Sequence, residues 1–459
     1  MVDVVIFGTG EYYQKYKKEL KKEINIIGFL DNNEKKQGTD IDGIRVYAPC
    51  YISKLKYDYV FLLSGFYLQM KKQLLDLGVT EDVIKDINEL NVLCDAQITE
   101  CTYQLPQNEK KNILFLSPAF TFSGAQNAMM YAAGVLYNHG YNVIICSSVE
   151  GVLQQKIEEK GMQAILIRDL NRSNRIFTQL CEWADVIWAN TVWMYSQVCE
   201  AIPFQKRVIW WLHESGPIDF ITAKYMNQIV EASNVEVYSV SPVVRKKFVK
   251  KTNGQKAVKE LLYGIPAYEI PEEKKNYLTF AVVGDISPEK AQDIFLKAID
   301  LLDDSYKRNN QFWIVGRGKM KAEWNAIMQK NPCITYKGEV KNADMPKVYQ
   351  KIDVLISCSR EDAMPIVVTE AFMNQKLVIA SDAIGTMKYI KSGENAIVIK
   401  AGDAEDLKDK IMWTIEHWQI CEKMKAEGRK IYEKYFTLRV FNENVLRIMN
   451  DTSVIGWQK

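Results

Sequence analysis

Residues 357–371 read Ser-Cys-Ser-Arg-Glu-Asp-Ala-Met-Pro-Ile-Val-Val-Thr-Glu-Ala and directly follow the apolar run Val354-Leu-Ile. The run predicts a buried strand, and Pro365 suits the first turn of a helix, where a missing N–H costs nothing. Asp362 then lies in the loop before the helix, and Glu370 lies between one and two turns inside it. The stretch therefore predicts a strand, a loop and a helix N-terminus flanked by two acids.

The beginning of this predicted helix is a candidate anion site. The N–H groups of Met364, Ile366 and Val367 lie where intrahelical acceptors are lacking, and the helix dipole is positive at this end. A diphosphate would be held there between Asp362 and Glu370. The alternative interpretation is an N-cap aspartate followed by an ordinary amphipathic helix.

Strand and helix patterns alternate through most of the chain. Short β-branched apolar runs separated by helical patterns indicate parallel sheets that are covered on both faces. Such runs begin at Val4, Tyr59, Ile113, Val143, Val208, Phe280, Phe312 and Val378. We therefore predict an α/β fold throughout, with polar linkers at 104–111 and 271–276. The predicted divisions are residues 1–98, 110–268, 276–432 and 433–459, the last being a C-terminal helix that packs back on the N-terminal half.

Several further motifs occur in a fixed order. Ser123-Gly-Ala-Gln follows a strand and opens a helix, and Val283-Gly-Asp-Ile-Ser-Pro-Glu-Lys does the same later in the chain. Together with the acid-x7-acid spacing of Asp362 and Glu370, these motifs resemble glycosyltransferase family 4 over about residues 111–440. The resemblance implies retaining enzymes of GT-B architecture, in which two Rossmann-like domains face a cleft.

The resemblance also implies a site for a nucleotide-sugar donor. Glu370 would chelate the ribose hydroxyls, Asp362 would lie beside the donor sugar, and Lys290 would neutralise the diphosphate. The usual residue at the first acid position is Glu, so Asp362 is a shorter acid with Glu361 adjacent to it. The implied donor-binding residues are Gly124, Gly284, Lys290, Arg317, Val340, Met364, Pro365, Ile366, Val367 and Glu370.

Family members often use two cationic residues to bind the donor diphosphate, and one of the two is replaced in this chain. Family members often carry an Arg just after the glycine at position 284, and this chain has Asp285 there. Arg317 is the candidate substitute. The strand end at Val340 corresponds to the segment beside the base, and Tyr349 lies on the following helix.

His213 follows the apolar run Val208-Ile-Trp-Trp-Leu, so it lies at the carboxyl end of a predicted strand. Open α/β sheets bind ligands at that edge. In the related enzymes a histidine at this point faces the donor sugar, and we predict catalytic roles for His213, Lys290 and Asp362. A satisfied structural histidine is the alternative.

The N-terminal block begins with a partial dinucleotide fingerprint. Gly8-Thr-Gly follows the first strand and Asp31 ends the second, but Tyr13 occupies the position of the third glycine. The block resembles the small Rossmann-like domains of sugar N-acetyltransferases. A docking or homo-oligomerisation module is the interpretation that we favour over a ligand site.

Composition sets the remaining expectations. The net charge is only +2, which gives no indication of nucleic-acid binding, and no apolar run approaches the ~18 residues of a membrane span. Nine scattered cysteines and three histidines predict reduced thiols, a cytoplasmic protein and no metal or other cofactor. The basic run 245–251 indicates a solvated helix face or, alternatively, peripheral contact with the inner face of a membrane.

These features predict transfer of a sugar from a UDP- or GDP-sugar to an acceptor hydroxyl. The acceptor would be a glycan, a lipid-linked sugar or a protein, in assembly of a bacterial surface polysaccharide, glycolipid or glycoprotein. Two alternatives remain open: a nucleotide-sugar epimerase of GT-B fold, or a non-catalytic partner subunit of a glycosyltransferase.

Overall fold

The computed structural model describes residues 1–86, 103–167, 170, 175–268, 270–271 and 275–451. The predicted boundary at residue 98, residues 272–274 of the second predicted linker and the last eight residues of the chain lie outside the described residues. The chain divides into two compact units. One comprises Met1–Gln126, Tyr137–Trp210 and Gly216–Glu236, and the other comprises Asn127–Leu136, Trp211–Ser215 and the chain from Val237 onward.

The N-terminal block forms one sheet. Its strands are β1 (Val2–Phe7), β2 (Ile24–Leu30), β3 (Asp40–Ile41), β4 (Ile44–Tyr47), β5 (Tyr59–Leu62) and β6 (Ile84–Asp86), and its helices are α1 (Glu11–Tyr16) and α2 (Tyr67–Asp76). The strand order is β3-β4-β2-β1-β5-β6. Because successive side chains of β1 point to opposite faces, Val4 and Ile6 join one core cluster while Val5 and Phe7 join another. The sheet is therefore covered on both faces.

The middle of the chain forms a second sheet. Its strands are β7 (Asn112–Ser117), β8 (Asn142–Ser147), β9 (Gln163–Leu166), β10 (Val186–Asn190), β11 (Arg207–Leu212), β12 (Val235–Ser239) and β13 (Val258–Glu260). Its helices are α3 (Gly124–Asn138), α4 (Leu153–Glu159), α5 (Arg175–Trp183), α6 (Tyr195–Ala201), α7 (Ala223–Glu231) and α8 (Pro242–Lys251). The order is β13-β12-β11-β10-β7-β8-β9. The first strand of this sheet, β7, lies inside it: β8 and β9 are added on one side and β10 to β13 on the other. The strand order therefore reverses between β7 and β10.

The third sheet has the same plan. Its strands are β14 (Leu278–Val283), β15 (Asn310–Val315), β16 (Ile334–Gly338), β17 (Val354–Ser357), β18 (Leu377–Ser381) and β19 (Ile397–Ile399). Its helices are α9 (Gln292–Leu301), α10 (Asp304–Arg308), α11 (Ala322–Lys330), α12 (Met345–Lys351), α13 (Ile366–Met373) and α14 (Ala404–Glu416). The order is β16-β15-β14-β17-β18-β19, and all neighbouring pairs are parallel. The predicted α/β class with parallel sheets is confirmed.

Two helices, not one, end the described chain: α15 (Trp418–Tyr435) and α16 (Leu438–Asn450). The break falls at Thr437, whose hydroxyl accepts a hydrogen bond from the backbone N–H of Val440 at 3.2 Å and so caps α16. Phe441 of α16 stacks on Trp211 of β11 with ring centroids 5.8 Å apart. A Cβ at Gly264 would lie 2.6 Å from that of Phe441, so the small residue permits this close packing.

In the described part of the chain, no helix combines the length and the apolar composition that crossing a membrane requires. The same residues include no cluster of three or more histidine, cysteine or acidic side chains placed to hold a metal ion.

Candidate nucleotide-sugar site

The loop before α13 is fixed by its own polar contacts. The carboxylate of Asp362 accepts a hydrogen bond from the backbone N–H of Met364 at 3.2 Å, and its carbonyl accepts one from Gly385 at 2.9 Å. Gly385 is required by packing, because a Cβ there would lie 1.7 Å from the carbonyl oxygen of Ala363. Pro365 precedes the first helical residue with φ −65°. The N–H groups of the first turn, which lack intrahelical acceptors, therefore begin next to Asp362.

Lys290 and Asp362 form an ion pair across the point where the strand order of the third sheet reverses. Lys290 follows β14, and Asp362 follows the neighbouring β17. The lysine stem passes over Gly284, where a Cβ would lie 3.7 Å from its carbons. Such a crevice beyond the carboxyl ends of parallel strands is where open α/β sheets bind ligands. The structure thus brings three of the predicted site residues together.

Glu370 lies just over one turn into α13 and accepts a hydrogen bond at 2.7 Å from the hydroxyl of Tyr349 on α12. Burial raises the pKa of the Glu370 carboxyl to about 6, although the bond from Tyr349 acts in the opposite direction. Burial, and secondarily the charge of Glu370, also raises the pKa of Tyr131 and Tyr268. Among the described residues, Glu370 therefore has tyrosines around it and forms no ion pair.

Tyr131, Tyr268 and a further tyrosine near Glu370, Tyr263, belong to no motif of the sequence. Tyr268 accepts a hydrogen bond from Asn374 at 3.2 Å, and the hydroxyl of the neighbouring Tyr263 lies 2.9 Å from that of Thr369 on α13. Neither tyrosine has a spacing relation to Glu370 along the chain that would indicate contact. Only the folded chain brings them to one place.

The carboxyl edge of the third sheet is lined with glycine. The N–H of Gly316 donates to the carbonyl of Gly338 at 2.8 Å, and a Cβ at Gly316 would lie 1.9 Å from the carbonyl oxygen of Gly284. The backbone turns after β14 and β15 can therefore pack directly on each other. Val340 follows β16 on the same edge and is partly exposed.

Arg317 lies beside Asp285, with Nη2 2.8 Å from Oδ2. The guanidinium therefore occupies the neighbourhood of the position at which the sequence lacks an arginine. Both side chains are largely exposed, at 68% and 60%. The pair brings a cation to the edge of the site, and Asp285 partly neutralises it.

His213 follows β11, and its ring packs on that of Trp211 with centroids 4.3 Å apart. Burial lowers the pKa of His213 to about 3, so its imidazole is neutral near pH 7. Nε2 is buried and has no hydrogen-bond partner among the described residues. Two residues on, the hydroxyl of Ser215 donates to the carboxylate of Glu361. This contact places the segment after β11 beside the loop that carries Asp362.

Gly124 opens α3, at the point where the strand order of the second sheet reverses. The side-chain amide of Asn190, at the end of β10, donates to the carbonyl of Ala125 at 3.2 Å. The amide oxygens of Gln126 and Asn190 are both buried and without partners among the described residues. A ligand hydroxyl could satisfy them.

The N-terminal motif has a polar arrangement of its own. The Thr9 hydroxyl donates to Asp31, and Lys36 pairs with the same carboxylate at 3.1 Å. Burial opposes ionisation of Asp31, but these bonds hold its pKa below the ordinary value. Tyr13 is buried against Phe29.

Sheet three is parallel throughout, and sheet two is parallel in its β7–β10, β7–β8, β8–β9 and β12–β13 pairs. Each sheet has polar residues at its reversal point, and together they define the class. GT-B glycosyltransferases typically have two Rossmann-like sheets in succession. In the second, a helix N-terminus lies between a lysine, an aspartate and a glutamate.

Comparison with known proteins gives the family. Residues 109–262 match the model of glycosyl-transferase family 4, residues 267–431 match glycosyl transferases group 1, and residues 1–85 match the C2185-like N-terminal domain. An uncharacterized glycosyltransferase of Methanocaldococcus jannaschii is 22% identical over 217 residues, which are 47% of this chain and 59% of that protein.

Two further proteins are similar over part of the chain. The Campylobacter jejuni α-1,4-N-acetyl-D-galactosaminyltransferase that acts on GalNAc-α-(1→4)-GalNAc-α-(1→3)-diNAcBac-PP-undecaprenol is 28% identical over 141 residues, 30% of this chain and 38% of that protein. The crystal structure of Anabaena HepE in complex with UDP superposes with a TM-score of 0.63 at 16% identity, covering 74% of this chain and 99% of HepE. The chain therefore has the GT-B fold, and it carries a match to glycosyl-transferase family 4 followed by a match to glycosyl transferases group 1.

Proposed function

We propose that this protein is a retaining glycosyltransferase that moves a sugar from a UDP- or GDP-sugar to an acceptor hydroxyl. The observation that carries the proposal is the arrangement around the N-terminus of α13. Lys290 and Asp362 meet on one side of it, and Glu370 lies one turn inside the helix under the hydroxyl of Tyr349.

The proposed donor uses each part of this arrangement. The two ribose hydroxyls bond to Glu370, and the diphosphate lies on the free N–H groups of Ile366 and Val367 with Lys290 as the countercharge. Asp362 then lies beside the sugar. HepE, which shares the fold, has been crystallised with UDP, and that supports a nucleotide-sugar as the substrate class.

The proposed chemistry occurs on one face of the donor sugar. The bond from the anomeric carbon to the diphosphate oxygen breaks, the acceptor oxygen bonds to the same face, and the acceptor's proton passes to the departing phosphate oxygen. Lys290 and the helix N-terminus stabilise the charge that develops on the diphosphate. The neutral imidazole of His213 offers its buried Nε2 to a sugar hydroxyl. No metal or cofactor is needed for this scheme, and none is proposed.

The proposed setting is the cytoplasmic assembly of a bacterial surface glycan. The Campylobacter relative acts on an undecaprenyl-diphosphate-linked glycan, which supports a saccharide acceptor. The basic run on α8 offers little to a membrane interior, because Phe248 within it is fully buried. We therefore favour a solvated helix face over insertion of this helix.

The test is incubation with a panel of UDP- and GDP-sugars, with and without saccharide acceptors. We expect donor-dependent sugar transfer, or slow donor hydrolysis, and a product whose anomeric proton coupling matches that of the donor. The matched control is Glu370→Gln, which keeps the size and the bond from Tyr349 but removes the charge. Inversion at the anomeric carbon would refute the retaining mechanism.

The replacement of the family's arginine by Asp285 favours a second candidate, a non-catalytic partner subunit. Such a subunit would bind UDP through Glu370 and still release no sugar with any donor. Release of a free 2-epimer would instead identify an epimerase.

A further inference from the structure

The N-terminal block (residues 1–86) is called the N-terminal domain below. A cavity of about 540 Å³ lies between this domain and the second sheet. One wall comes from α1 and α2, and the other from the ends of β7 and β8 and from the turn after β10. Every residue of its lining belongs to one compact unit of the chain. The lining is Glu11, Tyr12, Lys15, Tyr16, Gly65, Tyr67, Leu68, Gln69, Pro118, Ser148, Val149, Leu170, Trp193, Met194 and Gln197.

The two walls are held together by specific contacts. Trp193 packs against a core cluster of the N-terminal domain, with its ring edge-to-face on that of Tyr67 at 5.7 Å. Lys71 is only 3% exposed, and its ammonium donates to the carbonyl of Phe220 at 3.2 Å while pairing with Glu81 at 2.9 Å. A buried lysine satisfied on both sides of the junction fixes how the domain lies on the sheet. The cavity is thus a built feature.

The residue two positions before Trp193, Thr191, has a strained backbone. Thr191 follows β10 with φ +80°, a value that β-branched residues rarely adopt, and its carbonyl accepts a hydrogen bond from the indole of Trp210 at 2.8 Å. The short turn Val192–Met194 comes next. Strained residues persist where the surroundings hold them, and they cluster at functional sites.

The cavity also opens at the ligand-binding edge of the second sheet. Pro118 directly follows β7 and Ser148 directly follows β8, so both mark carboxyl ends of parallel strands. Ligands of open α/β sheets bind beyond these ends.

The lining has the chemistry that a pyranose ring requires. Tyr12, Tyr16, Tyr67 and Trp193 supply aromatic rings, which pack on the apolar C–H face of a sugar. Glu11 supplies a carboxylate for the hydroxyls around the ring, and the oxygen of Ser148 can accept from one while its own O–H donates to the carbonyl of Pro118 at 3.4 Å. The amide of Gln197 is held in place, since it donates to the carbonyl of Leu170 at 2.9 Å and accepts from the hydroxyl of Ser196 at 3.0 Å. Concave, mostly apolar walls with a few polar groups at a domain junction are typical of small-molecule sites.

We infer that this cavity binds a pyranose unit of the acceptor glycan. The N-terminal domain is then an acceptor-binding module, beyond the docking role that its sequence indicates. The inference rests on the proposed function, because it concerns the acceptor of that transfer. A polyprenyl chain fits less well, since it would bury hydrocarbon against the charged Glu11 and Lys15.

The experiment uses the full chain with saturating UDP and measures binding of methyl α- and β-glycosides of glucose, galactose, N-acetylglucosamine and N-acetylgalactosamine, and of farnesyl phosphate, by saturation-transfer NMR. Val149→Trp fills the cavity from its exposed rim, and Tyr12→Ala removes an aromatic wall. The matched control is Val152→Trp, at a position that is 63% exposed and outside the lining. UDP affinity is measured by calorimetry for each protein.

We expect at least one glycoside to bind, with affinity at least tenfold weaker in Val149→Trp and Tyr12→Ala and unchanged in Val152→Trp. UDP affinity should be equal in all four proteins. The inference is overturned if no glycoside binds, if both cavity variants bind as the wild type does, or if only farnesyl phosphate occupies the cavity. If the wild type does not bind UDP, that result counts against the proposed function. The comparison of glycoside binding between the wild type and the cavity variants would still test the cavity.

Discussion

We expect nucleotide affinity to depend on pH, because the pKa of the proposed ribose ligand Glu370 is raised. A carboxylate that chelates ribose hydroxyls must be ionised to accept both bonds at full strength. With a pKa of about 6, nearly all Glu370 is ionised near pH 8 and only about one molecule in eleven near pH 5. UDP affinity should therefore fall about elevenfold between these pH values because of this group alone.

The assay is calorimetric titration with UDP at several pH values, using Glu370→Gln as the control. The terminal phosphate of UDP titrates in the same range, since phosphate monoesters have a second pKa near ~6. The variant shows this ligand contribution by itself, because the glutamine amide carries no charge. Each lost charge-assisted hydrogen bond costs about 1.5–3 kcal/mol, so the variant should bind UDP at least tenfold more weakly near pH 8. Identical pH slopes in the two proteins would refute our assignment of Glu370 as the ribose ligand.

The same shift affects the stability of the empty protein. The folded-state pKa of Glu370 is raised from 4.5 to about 6. Its favourable contribution to the free energy of unfolding is therefore complete below pH 4.5 and is lost as the pH rises through 6. The loss amounts to about 2 kcal/mol near pH 8. Glu370→Gln should therefore unfold at a higher temperature than the wild type near pH 8 and at a similar temperature near pH 4.

Three other predictions follow from the same site. Lys290→Ala should weaken UDP about 10- to 150-fold and uridine hardly at all, measured by calorimetry, with the exposed Lys423→Ala as the control; equal losses for both ligands would contradict contact with the diphosphate. Gly316→Ala should lower the free energy of unfolding by about 3 kcal/mol or more in denaturant titrations, because its Cβ has no space, whereas the open position of Gly65→Ala should be nearly neutral. His213→Ala should slow transfer about 10- to 150-fold with UDP affinity unchanged, and the wild-type rate profile should show no inflection from a histidine between pH 5 and 8, since the pKa of His213 is about 3.

Local sequence determines much of the fold. Val354-Leu-Ile and the other β-branched runs are too apolar for a strand with one wet face, so a doubly covered parallel sheet follows from them directly. Pro365 and the two acids around it likewise locate the beginning of α13, because helix starts depend on neighbouring residues only. The break at Thr437 does not follow from the local pattern, since the apolar periodicity continues from Tyr432 to Phe441 while a single hydroxyl caps the new helix.

The side-chain partners of the site depend on strand order, which local patterns do not specify. Lys290 and Asp362 are 72 residues apart and meet only because β17 pairs with β14. Arg317 reaches Asp285 because β15 is the other neighbour of β14. The tyrosines around Glu370 come from distant segments and share no motif. The roles of Lys290, Arg317 and Glu370 as donor ligands are predictions.

Three residues that depart from ordinary folding rules lie at the reversal point of the second sheet or on the helix that begins beside that of the third: Glu370, Asn190 and Thr191. Glu370 is an acid enclosed by tyrosines with a raised pKa, and the amide oxygen of Asn190 is buried without a partner among the described residues. Thr191, next to Asn190, holds a strained backbone. The buried Glu370 carboxyl and the unpartnered amide oxygen of Asn190 each cost free energy in the empty protein, and a ligand that donates hydroxyl groups would satisfy both acceptors. Sugars and ribose are the ligands whose dense hydroxyl groups satisfy such acceptors, which is why the same residues that reduce stability are the ones that we assign to substrate binding.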